Sequence, residues 1–155
     1  MLKNTGISKR VTQTGVGLIE VMVALFILGV GLLGILNMQT QSLVFNQQAY
    51  YLSQANALLW DISDRMKANS SVPESYLMDF NSTVSTATDC ESQECSATQL
   101  ASWDTNQWLG AVRNLLPQGD AEIVRNGSFF EINIEFDLEQ TPGVDPMTVS
   151  ATLGL

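Results

Sequence analysis

The sequence predicts an α+β fold, with one long N-terminal helix packed on a small antiparallel β-sheet and one additional helix. Three observations predict it. Residues 16–36 are apolar and carry a single charge, Glu20. An apolar stripe at three- and four-residue steps then continues, with no proline before Pro73. After residue 120 the period changes to two, with turn-forming residues between the alternating runs.

The 155 residues suit one small domain with extra elements, and the 45% apolar and 15% charged content is unevenly spread. The formal net charge is -9, and three of the seven basic residues, Lys3, Lys9 and Arg10, lie in the first ten positions. Without that segment, four basic residues face sixteen acidic ones, which is -12. Such a surface repels nucleic acid and anionic lipid headgroups, so no nucleic-acid partner is expected. The sequence has no His, which removes the commonest general base and a common metal ligand. No spacing of its serines and carboxylates forms a catalytic constellation. The expectation is therefore no enzyme, no catalytic residue, no metal, no cofactor and no small-molecule substrate.

Residues 1–15 are polar and basic, and Val16–Leu36 is the apolar stretch. At about 1.5 Å per residue its length is roughly 31 Å, the thickness of a bilayer core. The basic flank is N-terminal, so the positive-inside rule leaves the N-terminus in the cytoplasm and everything after Leu36 in the periplasm. A secretory signal peptide would carry small residues in an A-x-A-like pattern after its apolar stretch, but Asn37-Met38-Gln39-Thr40 follows here. A plain anchor explains the length but not Glu20, since a carboxylate inside such a segment costs at least a few kcal/mol unless paired or near the interface.

Gly15-Val16-Gly17-Leu18-Ile19-Glu20, running into Val21-Met22-Val23-Ala24-Leu25, resembles the type IV prepilin motif: a short basic leader ending in Gly, then Glu as the fifth mature residue. The resemblance implies that a prepilin peptidase cuts between Gly15 and Val16 on the cytoplasmic face and that the new N-terminus, Val16, is methylated. Residues 1–15 would be the leader, 16–36 a hydrophobic helix spanning the membrane before assembly, and 37–155 a periplasmic head that includes the amphipathic half of the long helix. Val16 stands where Phe is most common, and Gly17 where a polar residue is usual. Cleavage would leave an ammonium on Val16, and Glu20 lies one helical turn on, on the same face. The carboxylate can then neutralise that amine, or the amine of a neighbouring subunit, in an apolar bundle.

Beyond the apolar stretch, Ile35, Met38, Ser42, Phe45, Ala49, Leu52, Ala55, Leu59, Ile62 and Met66 form the stripe. They predict a helix from about Val16 to about Asn69, ~80 Å long, ended by Ser70-Ser71-Val72-Pro73. Gly29, Gly31 and Gly34 either soften its first half or allow close helix packing. Residues 70–97 read as loop, with Tyr76, Leu77, Met78 and Phe80 as anchors. Cys90 and Cys95 fall in this loop and could be free thiols, half a metal site or one disulfide. A periplasmic head makes the disulfide the default, and a metal would need more ligands than two thiols. Ser96-Ala97-Thr98-Gln99 reads as a capping box, opening a helix through Leu100, Trp103, Trp108, Val112 and Leu115 that ends at Leu116-Pro117-Gln118-Gly119. Its tryptophans are read as core. Ala121–Val124 is a strand, and Arg125-Asn126-Gly127-Ser128 a hairpin turn. Phe130, Ile132, Ile134, Phe136 and Leu138 alternate with Glu131, Asn133, Glu135, Asp137 and Glu139 as a half-buried strand with an acidic outer face. Thr148–Leu153 is the last strand of a sheet of three or four.

Gly29-Val30-Gly31-Leu32-Leu33-Gly34, Asp64-Arg65-Met66-Lys67-Ala68-Asn69, Cys90 with Cys95-Ser96, Gln99-Leu100-Ala101 with Asp104, Trp108, and Leu115-Leu116-Pro117-Gln118-Gly119 occur in this order. In that order they resemble the PilV family of minor type IV pilins, over most of residues 6–138. The resemblance implies a pilin-like fold and a minor pilin that primes or modifies pilus assembly near the pilus tip, with effects on twitching, adhesion or DNA uptake. Implied partners are the prepilin peptidase, other minor pilins, the major pilin, the inner-membrane assembly platform and the inner membrane itself. The mature chain would pass from the inner membrane, with its head in the periplasm, to the extracellular pilus. A minor pseudopilin of type II secretion shares the leader, helix and sheet and is the alternative reading. A tip adhesin or DNA receptor is a further one, and the absence of a basic-aromatic patch argues against DNA.

Overall fold

The computed structural model describes residues 15, 17–84, 88–138 and 145–155. Helix α1 spans Leu18–Ala68, a short 3-10 helix Pro73–Tyr76, and helix α2 Ala97–Leu115. Strands β1 (Asp120–Asn126), β2 (Phe129–Phe136) and β3 (Met147–Gly154) form one antiparallel sheet in the order β1-β2-β3. The fold is thus the α+β arrangement the sequence predicts. The chain divides into two compact units between Val44 and Phe45.

In the first unit, every described residue from Leu18 to Val44 is exposed. The segment is apolar on all sides, and no face of its described residues is buried. Helix α1 is long and apolar enough to cross a membrane by length and composition, and none of its most apolar window is buried.

The second unit holds the core. Ala55, Leu58, Leu59, Ile62 and Met66 of α1 pack with Trp108, Leu109 and Val112 of α2 and with Ile123, Ile132, Ile134 and Phe136 of the sheet. Burying each of the larger aliphatic or aromatic side chains contributes roughly 1.5–3 kcal/mol relative to exposure. The predicted stripe is corrected at both margins. Ile35, Met38, Ser42, Phe45 and Ala49 are exposed, and the buried stripe begins only with half-buried Tyr51 and Leu52. Leu58 and Ser63, one residue off the stripe, are buried as well. The sheet and α2 together present a face wider than one seam, so α1 buries a broader arc where it meets them.

Trp108 is 1% exposed, and its indole Nε1 donates to the Leu58 carbonyl at 2.9 Å. The tryptophan joins α2 to α1 through both its apolar body and its polar tip. The capping box forms as read: Ser96 accepts from the Gln99 backbone N–H, and the Ser96 backbone N–H donates to the Gln99 side chain at 2.9 Å.

The segment 70–97 is not wholly loop. Pro73 starts the 3-10 helix, Tyr76 is buried, and Met78 forms an antiparallel bridge with Ile123 through two backbone hydrogen bonds of 3.0 and 2.8 Å. Polar composition hid this piece because its order comes from β1, a long-range partner. At the hairpin, Asn126 pairs with Phe129 and Gly127 has φ +64, the positive value that a glycine-first two-residue turn needs. The ladder therefore includes Arg125 and Asn126, which the sequence pattern places in the turn. Strand β2 ends at Phe136 rather than continuing through Leu138, because the Asp137 N–H donates to the Pro117 carbonyl at 3.0 Å. Glu139 lies outside the described residues.

Candidate functional site

Two places concentrate polar chemistry. The first is the start of α1. Glu20 lies in its first turn, and its backbone N–H donates to the Gly17 carbonyl at 3.0 Å, as does that of Val21 at 3.4 Å. Gly15 and Gly17 are non-helical, so the backbone turns helical immediately before the carboxylate. An acidic group in a helix's first turn also complements the positive end of the helix dipole. Glu20 is exposed and surrounded along the chain by apolar residues. The predicted partner, Val16, lies outside the described residues, and with it the geometry of the cleavage and methylation position and of the charge pair. The exposed carboxylate in an apolar segment is chemically suited to take up a cation, and a protein amine is the cation an apolar helix bundle can supply.

The second place is a polar cluster at the end of α1. Asp104 of α2 is 5% exposed. It accepts from Arg65 Nη1 at 2.9 Å and from the Tyr76 hydroxyl at 2.8 Å. Asn69 is buried too, and its Nδ2 donates to the Ala97 carbonyl at 2.7 Å and to the Tyr76 oxygen at 3.2 Å. Arg65 further contacts Asp61 one turn earlier at 3.1 Å. Burial works against the Arg65 charge, but hydrogen bonds to Asp61 and Asp104 outweigh it and raise its pKa. Burial, helped by the Asp104 hydrogen bond, pushes the Tyr76 hydroxyl up to about 12. The cluster locks α1, the 3-10 helix and α2 together, with every buried side-chain polar atom among the described residues hydrogen-bonded.

In the sequence Arg65 and Asn69 stand in one motif, Asp104 beside another and Tyr76 among the loop anchors, and nothing local connects them. A tyrosine among polar loop residues and a lone Asp on the apolar side of α2 are the signals that could have done so. A second pair acts at the other end of α2. Arg113 donates to Asp120 at 2.8 Å and to the Ser82 carbonyl at 2.7 Å, and the Asn81 N–H donates to Asp120 at 2.5 Å. Burial opposes the Asp120 charge, but the Asn81 and Arg113 hydrogen bonds prevail and lower its pKa. Cys90 and Cys95 are joined by a disulfide with Cα atoms 5.6 Å apart, directly before the Ser96 cap.

Comparison with known families divides the chain in a similar way. Residues 10–36 match the family model described as the prokaryotic N-terminal methylation motif, and residues 37–106 match the one described as type IV pilin Tt1218. No curated protein and no solved structure gives a significant match.

Proposed function

From the premise that this chain is a type IV pilin carrying the prepilin N-terminal methylation motif, we propose that it is a minor pilin of the PilV kind that primes or modifies pilus assembly. In this reading residues 1–15 are a leader removed between Gly15 and Val16 by the prepilin peptidase. Val16 becomes the methylated N-terminus. Residues 16–36 hold the chain in the inner membrane, with the head of residues 37–155 in the periplasm, until it passes into the pilus near the tip. Its partners are the major pilin, other minor pilins and the inner-membrane assembly platform. Its work is structural, as is that of the pilin family, and not catalytic.

The observation that carries the reading is Glu20. It stands exposed in the first turn of an apolar helix that begins at Leu18, just after the non-helical Gly15 and Gly17, and inside the segment that matches the methylation motif. An isolated carboxylate there is unfavourable by a few kcal/mol. Pairing with a subunit's amine removes that cost and sets the register between neighbouring helices.

The experiment is mass and N-terminal analysis of the membrane-extracted protein, with and without the prepilin peptidase, followed by its quantity in sheared pili. The expected outcome is a chain starting at methylated Val16 only when the peptidase is present, and substoichiometric to the major pilin in the pili. A chain starting at Met1 in both strains would sink the prepilin reading. A processed chain absent from pili but needed for secretion would assign it to a type II secretion pseudopilus instead.

A further inference from the structure

We propose that the outer edge of β3 and the facing side of α1 form a docking groove for an extended strand of a separate polypeptide, with a carboxylate at the end of that strand next to Lys67. The inference applies equally to a minor pilin and to a pseudopilin.

Three observations lead to it. Among the described residues β3 is the terminal strand of the sheet, paired with β2 on one side only, whereas the outer edge of β1 is met by Met78. Edge strands of stable monomers are usually short, charged, interrupted by proline or covered. Strand β3 has eight residues, Met147–Gly154, with no charge and no proline.

Next to this edge lies a groove of about 250 Å³ with one wall from Ser150 to Leu153 and the other from α1, including Leu59, Trp60 and Ser63. A strand edge beside a helix is the geometry in which an added strand takes backbone hydrogen bonds from one wall and packs alternate side chains against the other. Leu59 and Leu153 are core residues at its floor, and Trp60 is 67% exposed at its rim. An incoming strand therefore continues the sheet with its inward residues apolar and its outward residues polar, as in β3 itself.

The third observation is charge. In a chain of net charge -9, Lys67 is the only charged residue among the described residues that line the groove. Its Nζ lies 6.0 Å from the Trp60 ring centre and 3.2 Å from the exposed Asp64 carboxylate. An exposed pair of this kind is weak, so a carboxylate brought by a docked strand can compete for the ammonium. The groove thus offers an uncharged strand edge with one cation beside it in an otherwise acidic head.

The test uses the full mature chain in detergent micelles. The probe is a fluorescein-labelled eight-residue peptide of alternating valine and threonine ending in aspartate, followed by fluorescence polarisation. Saturable binding is expected, weakened at least about tenfold by Trp60→Ala or by Thr152→Lys, a charge of the kind that guards natural edges. Lys67→Gln, or amidation of the peptide's carboxylates, weakens it by a smaller factor. Trp60→Ala lies on an exposed helix position and keeps the thermal transition of the parent, which separates loss of docking from loss of fold. Absence of binding, or equal binding to the parent and to both wall variants, overturns the proposal. So does a dimer of the chain alone, seen by sedimentation and dispersed by Thr152→Lys, because the edge then belongs to a second copy.

Discussion

Asp104 shows how much one buried carboxylate can organise. It receives a guanidinium from α1 and a phenol from the 3-10 helix, residues 39 and 28 positions away. Removing it takes from Arg65 its buried partner and from the Tyr76 hydroxyl its 2.8 Å acceptor, a change that costs about 3 kcal/mol for a buried charged pair. Asp104→Ala is therefore expected to lower the unfolding free energy by that amount, measured by urea titration of Trp fluorescence. Substitution of the exposed Asp61, the other partner of Arg65, should change stability by under about 1 kcal/mol. Tyr76 makes a prediction about pH. Its folded pKa, about 12, is above the ordinary tyrosine value of 10.0. The unfolded state thus releases its proton first as pH rises. The stability this group contributes is full below pH 10 and is lost as pH rises towards 12. Alkaline denaturation followed by circular dichroism should show that loss in the parent and a smaller one in Tyr76→Phe. Of this cluster, sequence reading found each residue and missed the assembly, since nothing local announces that residues 65, 69, 76 and 104 meet.

Among the elements, α2 was the most legible. Its start lies in a four-residue signal, Ser96 to Gln99, and both reciprocal hydrogen bonds form. Ser96→Ala should cost about 1 kcal/mol and fray the first turn, read as faster amide exchange there and not at the Trp108 end. The far end of α2 depends on Gly119. A Cβ at that position would lie 2.6 Å from the Val112 carbonyl oxygen and 2.9 Å from Leu116 Cβ. Neither neighbour can move cheaply, because one is backbone and the other is a fully packed residue. Gly119→Ala is expected to destabilise by about 1–3 kcal/mol in thermal unfolding. The strands were legible by their period of two, and their ends were not. Strand β2 stops where Pro117 captures the next N–H, and β1 gains a neighbour in Met78 that polar composition concealed. In both cases a backbone partner distant in sequence decided the boundary.

At the scale of the whole molecule, the contrast lies between an apolar segment whose described residues are all exposed and a second unit that holds a buried core. The first makes sense only with lipid or other helices around it. Glu20 is the test of that dependence. Glu20→Ala removes a charge that insertion does not need, so the variant should reach the membrane in normal amounts. It should be depleted in sheared pili, measured by quantitative immunoblot against the parent. Equal amounts in the two pilus fractions would falsify the role assigned to the carboxylate. The acidic head adds a further constraint, since subunits of like charge meet most easily where charge is absent or where a lysine is offered.

The sequence by itself determined the class of the chain and the kinds of its elements. A run of apolar residues interrupted by one Glu, a proline-free stripe, a capping box and a two-residue alternation are local signals, each read from neighbours within a few positions. Tertiary structure alone decided which half of the stripe is buried, that Tyr76 and Asp104 share a hydrogen-bond network with α1, and that among the described residues β3 is the terminal strand of the sheet beside Trp60. Those facts depend on residues tens of positions apart competing for the same space and the same hydrogen bonds, and chain order carries no record of that competition.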